Sequence, residues 1–275
     1  MPLFPNLIAC RYDPQTVRAR LGVTLLPLPY EDVRARMAAA ASRPEATRQA
    51  RQDITRSYAV AAADQHALDA GLELHLALKH LAREQKLDAF AAECWTGLPQ
   101  ALGLNPCLGF ADDAYTLACE GDVTLGVSLL MVQYLTGSRA YVGDLYDLDL
   151  DGRMTLVHCG APASLARDPQ AVVLGRSQLA LERGYETITC RPRLDPGPVT
   201  LFRFYGRDCD KLHLAMAELL GSDPSPNLAV NLRLAGSRWD FLNLCAGNHY
   251  VVVPGDIRPE LSLLARWLDI TIFQT

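Results

Sequence analysis

Glu120, Asp144 and His249 carry the side-chain types of a divalent-cation site, and each stands beside an apolar run that reads as a strand. Their settings are Ala-Cys-Glu-Gly-Asp (118–122), Tyr-Val-Gly-Asp-Leu (141–145) and Gly-Asn-His-Tyr (247–250). Two carboxylates and an imidazole hold a hard cation such as Mn²⁺ and leave coordination positions open for the oxygens of a ligand such as a sugar. Spacing alone does not bring the three together; their strand-end settings are what single them out.

Each candidate has a plainer alternative. Glu120 and Asp122 precede a helix predicted from Val123 to Leu135, where an acidic residue suits the helix N-terminus. Asp122 is read as that helix's cap, and Glu120 stays open between cap and ligand. Asp144 begins the acidic run Asp144, Asp147, Asp149, Asp151, whose last part resembles the opening of a calcium loop. The twelfth position of that loop is His158 rather than a glutamate, so the segment reads as a hairpin turning at Asp151-Gly152. His249 and His158 each border a strand, where a histidine is commonly structural. His66, His75 and His80 fall on predicted helices and are expected to be solvated, whereas His213 lies within a strand. Glu93, at another strand end, is expected to line the same crevice as Glu120, and Trp95 offers either a stacking face for a ring or a core side chain.

The elements that must position these residues change character near residue 140. Before it, helical periodicity dominates, with helices opening at Tyr30 and running from Pro44 to about Gln85. Short apolar runs, Val23–Leu26, Ala89–Cys94 and Thr116–Cys119, suit buried parallel strands between them. After it, period-two strands follow: Met154–Cys159, Glu186–Cys190, Thr200–Tyr205, Leu212–Ala217 and Leu228–Leu234, with turns at 195–198 and 223–226. A helix at Pro259–Leu268 and a strand at Thr271–Phe273 come last. The predicted fold is α/β: a layered α/β domain with a parallel sheet over residues 1–138, then an antiparallel β-barrel-like domain over 139–275.

Composition narrows the function classes. A net charge of −5 argues against a nucleic-acid partner. The eight cysteines show no Cys-x-x-Cys pair and read as buried free thiols, which suits a reducing, cytoplasmic setting. The opening Met-Pro-Leu-Phe-Pro-Asn lacks the features of a signal peptide, and no apolar run is long enough to span a membrane.

Several segments recur in a recognisable order. Cys119-Glu120-Gly121-Asp122-Val123 precedes a helix ending in Leu135-Thr136-Gly137, with Asp144 24 residues after Glu120. His158-Cys159-Gly160, Gly197-Pro198-Val199-Thr200-Leu201 and Asn248-His249 then follow. This ordered set resembles the L-fucose isomerase family, within the fucose/arabinose isomerase group, from about residue 20 onward. The resemblance implies that Glu120, Asp144 and His249 ligate Mn²⁺, or another divalent cation such as Mg²⁺ or Co²⁺. It implies aldose–ketose isomerisation through a cis-enediol, with Glu120 and Asp144 as the catalytic acid and base. Trp95, Glu93, His158 and Asn248 are then the expected sugar-binding residues, in a homo-oligomer, trimeric or hexameric.

Relative to the family pattern the chain starts within the second domain, so the N-terminal domain that walls a neighbour's active site is expected to be missing. Tyr250, next to His249, is expected to reshape the pocket. A non-catalytic sugar- or metal-binding homologue and one subunit of a split isomerase are the alternatives to an isomerase.

Overall fold

The computed structural model describes residues 12–61, 64–182, 184–185, 187–224 and 226–275. Cys10, the start of the chain and Glu186, which opened one predicted strand, lie outside them. Helices α1 (Pro14–Leu21), α2 (Tyr30–Ala41), α3 (Pro44–Ser57) and α4 (Gln65–Glu84) come first. Strand β1 (Ala89–Ala91), helix α5 (Gly97–Leu102), strand β2 (Thr116–Ala118) and helix α6 (Val123–Thr136) follow. The second half contains β3 (Tyr141–Leu148), β4 (Arg153–His158), β5 (Val172–Arg176), α7 (Gln178–Glu182), β6 (Ile188–Pro192) and β7 (Gly197–Tyr205). It ends with β8 (Lys211–Asp223), β9 (Leu228–Leu234), α8 (Arg238–Leu244), β10 (His249–Pro254), α9 (Arg258–Trp267) and β11 (Thr271–Gln274).

The fold is mixed α/β, and the layered sheet expected in the first half is reduced to one parallel pair, β1 with β2. Val23–Leu26 belongs to no helix or strand. Val23 and Leu25 lie half-buried against the hydrophobic cluster beneath α6, so their alternation reports side-chain packing without a backbone ladder. The helical stretch predicted from Pro44 breaks between Ser57 and Gln65, where Val60 bridges to Leu174 of β5. Helix α4 earns its length from one apolar stripe: Leu68, Leu72, Leu78 and Leu81 are buried at helical spacing.

The second half closes as predicted. Strands β8, β7, β10, β3, β4 and β9 form an antiparallel sheet, and β9 pairs back to β8 to complete a six-stranded barrel. β11 adds in parallel to β8. Alternation divides each strand between two cores. Val199, Leu201, Ala215, Leu232 and Val252 fill the interior, whereas Phe202, Phe204, Leu214, Val251 and Val253 face outward. Helices α6 and α9 cover that outer face through Val127, Met131, Leu261 and Ala265. The Asp149–Arg153 hairpin forms as expected: Asp149 Oδ1 accepts from the backbone N–H of Asp151 and Arg153, and Gly152 takes φ 75°.

Two histidine and aromatic expectations are corrected. His75 is buried, not solvated; its ring lies between Tyr115 Oη at 3.2 Å and Asp112 Oδ2 at 3.1 Å. Tyr250 points into the barrel, not toward a pocket: its hydroxyl lies 2.8 Å from His213 Nδ1, and its ring packs on Phe241. Residues 249 and 250 are consecutive on a strand, so their side chains must take opposite faces. The seven described cysteines are free thiols, as expected. No helix among the described residues is long and apolar enough to cross a membrane.

Burial pushes His213 down to about 4 from 6.5. The unfolded chain therefore binds the extra proton first, and stability that is full above pH 6.5 is lost as pH falls toward 4. That loss is at most about 3 kcal/mol. Urea unfolding across this range is expected to fall less steeply for His213→Gln than for the native chain; parallel curves would refute it.

Candidate metal centre

The site forms where the end of the small parallel sheet meets the outer face of the barrel. Beyond β2 the chain turns sharply. Gly121 N–H donates to Ala92 O at 2.9 Å, and Asp122 N–H donates to Cys119 O at 3.1 Å. Glu120 itself takes φ 61°, with Gly121 at 66°. A side chain in this left-handed region costs about 1–2 kcal/mol. Glycine would relieve that cost, yet glutamate occupies the position, which marks Glu120 as a functional candidate.

From the barrel, His249 opens β10 and stands directly opposite Asp144 of β3. His249 Nε2 lies 3.5 Å from Glu120 Oε2 and 3.5 Å from Asp144 Oδ1. His158, at the end of β4, brings its ring to 6.0 Å from that of His249. Glu120, Asp144, His158 and His249 each offer a ligand atom, all within 4.8 Å of one another. Atoms sharing one divalent ion at about 2.0–2.3 Å lie roughly 3 to 4.5 Å apart, so the group has the dimensions of a coordination shell. His158 Nδ1 is buried with no hydrogen-bond partner among the described residues, so this ring is not committed through that nitrogen to another side chain. His249 is fully buried, whereas the Glu120 and Asp144 side chains are 16% and 36% exposed, so the cluster opens on its carboxylate side.

Asp122 supports this group from behind. Its Oδ1 accepts from Leu125 N–H at 2.9 Å and from the Thr124 hydroxyl at 2.7 Å, capping α6. Its Oδ2 lies 2.9 Å from Arg203 Nη2 and 3.1 Å from His249 Nδ1. Arg203 Nη1 also donates to the His249 carbonyl at 3.1 Å. Burial by itself would raise the Asp122 carboxyl, but Arg203 and His249 outweigh it and hold the group well below the usual range. Burial likewise opposes ionisation of Glu120, and the neighbouring His249 and His158 more than offset it, leaving the carboxyl lowered.

The sequence-predicted residues are only partly brought together. Glu120, Asp144 and His249 meet, and His158, expected as a sugar-binding residue, stands with them as a fourth potential ligand. Asn248 Nδ2 donates to Asp144 Oδ1 at 2.5 Å and so orients that carboxylate. Glu93 and Trp95 follow β1 and lie outside the four-residue group; the Glu93 carboxylate accepts from the Tyr30 hydroxyl. Capping by Asp122 is as expected, and the structure adds the contacts of its second oxygen with Arg203 and His249. The available signal was an arginine inside the apolar run Leu201-Phe202-Arg203-Phe204, since a buried guanidinium requires a partner. Glu120→Gly is expected to raise the unfolding free energy by about 1 kcal/mol in urea with chelator present. A loss of stability there would show that side-chain contacts outweigh the backbone strain.

No protein-family model matches the chain. It is similar to a curated sulfoquinovose isomerase of Clostridium sp. (strain MSTE9), with 27% identity over 216 residues, covering 73% of this chain and 47% of that protein. The chain thus spans about half the length of this curated relative. The similarity points to a sugar isomerase family and does not single out the L-fucose isomerases.

Proposed function

We propose that the chain is a divalent-metal-dependent sugar isomerase that interconverts an aldose and a ketose through a cis-enediol. The observation that carries this reading is the four-residue group in which His249 Nε2 faces the Glu120 and Asp144 carboxylates at 3.5 Å. The similarity to a sulfoquinovose isomerase supports the same reaction class. Glu120, Asp144, His158 and His249 would hold the cation, and Mn²⁺ suits their mixed oxygen and nitrogen donors. A bound cation polarises a sugar's hydroxyl and carbonyl oxygens and offsets the negative charge that develops between them.

The chain's own residues then handle the protons. Glu120, lowered into its carboxylate form and partly exposed, is the base that removes hydrogen from C2 of the aldose and returns it to C1. Asp144, more exposed and held by Asn248, moves the second proton. Starting as a carboxylate, it takes the proton from O2 and passes it to O1 as the carbonyl moves from C1 to C2. Each turnover leaves both carboxyls as they began. The buried His249 and His158 take no proton in this scheme; they hold the site's inner wall.

Isotope exchange tests this reading. With Mn²⁺ in D₂O, the chain is expected to introduce deuterium at C1 or C2 of an aldose drawn from a panel that includes sulfonated and unmodified hexoses. Chelation is expected to stop it, and Glu120→Gln to slow it by about 10²–10⁴-fold. Undiminished exchange in Glu120→Gln would overturn the role of Glu120. Binding of sugar and metal, seen as a raised unfolding midpoint without any exchange, would instead support a non-catalytic homologue.

A further inference from the structure

We infer that Asp122 and Arg203 form a buried positioning pair that fixes the His249 ring, so that Nδ1 is tied to Asp122 and Nε2 is the nitrogen presented, between the Glu120 and Asp144 carboxylates, to a cation. The inference rests on the metal-centre reading for its purpose, but its geometry stands independently. An ionised carboxylate only accepts hydrogen bonds, so His249 Nδ1, 3.1 Å from Asp122 Oδ2, must be the donor. In the neutral ring that binds a cation, a proton on Nδ1 leaves the lone pair on the opposite nitrogen, and it is this nitrogen that lies 3.5 Å from both Glu120 and Asp144.

Asp122 cannot rotate out of this role. Its other oxygen is engaged by Leu125 N–H and the Thr124 hydroxyl at the start of α6. Arg203 adds two constraints. One guanidinium nitrogen donates to the same Asp122 oxygen at 2.9 Å, and the other donates to the His249 carbonyl at 3.1 Å. The imidazole is thereby held through its ring and through its backbone by one buried ion pair; both members are at most 2% exposed. Neither residue reaches the open side of the cluster, so neither is assigned contact with a substrate.

Asparagine at position 122 would reverse the arrangement. The cap requires the amide oxygen to stay on Leu125 N–H, which turns the amide NH₂ toward His249 Nδ1. The ring would then accept at Nδ1 and carry its proton on Nε2, aimed at the carboxylates. The experiment is nitrogen-resolved NMR of the histidine rings in metal-free protein, at a pH raised until the His249 ring is neutral, paired with titration by Mn²⁺ alone. The native chain is expected to show the Nδ1–H tautomer at His249. Asp122→Asn is expected to show Nε2–H and to bind Mn²⁺ about 10–100-fold more weakly.

Asp122→Asn alone leaves the Arg203 charge uncompensated in the core and can fail to fold. The double change Asp122→Asn with Arg203→Met removes both charges together and is expected to show the same tautomer reversal. An Nε2–H tautomer in the native chain overturns the proposal, as does native Mn²⁺ affinity in either variant. Reversal of the tautomer in a chain that binds no Mn²⁺ supports the pair's action on His249 and sinks the metal reading instead.

Discussion

The carboxylate of Asp122 is the joint on which the structure turns. One oxygen starts helix α6, and the other receives the Arg203 guanidinium from β7 and the His249 ring from β10. A helix start, a barrel strand and the candidate metal centre therefore share one buried anion. Removing one partner from such a buried pair costs about 3–5 kcal/mol, because the remaining charge has no water to turn to. The same cost keeps the joint rigid. Helix α6 lies on the barrel's outer face through Val127 and Met131, so its N-terminal cap is delivered to the start of β10 by apolar packing.

Around this joint, exposure is graded in a way that suits chemistry. Asp122, Arg203 and His249 are buried, Glu120 is partly exposed, and Asp144 is more exposed still. Groups that orient lie inside, where a low dielectric and fixed partners hold them, and carboxylates that would meet a ligand lie at the opening. Glu120 bears a local cost for its position, since its left-handed backbone is a conformation that glycine would adopt with less strain. Neighbouring imidazoles offset its burial, so the residue at the turn stays a carboxylate.

Much of the barrel was legible because alternation along a strand reports two differently packed faces. β4, β7, β8 and β9 fall where period-two patterning put them, and the Asp151-Gly152 turn closes the hairpin. Patterning was less informative in the first half. Val23 and Leu25 alternate as a strand would, yet no neighbour offers a ladder. His75 lies on the stripe of α4 that faces the core, and its polar ring is tolerated there because Tyr115 and Asp112 supply partners from distant segments. Such partners cannot be read from positions along one helix.

The sequence by itself determined the donor types at residues 120, 144 and 249, the strand ends that carry them, and the segment order that resembles the L-fucose isomerase family. Local rules suffice for this: apolar periodicity defines strands, and Asp before Val123 caps a helix. Only the tertiary structure decided that the three donors meet, that His158 joins them, and that Tyr250 turns away into the barrel. It alone supplied Arg203 and the second face of Asp122. These depend on strand register and on how α6 docks against the barrel, which are properties of distant segments packed together. A one-residue shift in register would exchange His249 for Tyr250 on the outer face and leave the site without its imidazole.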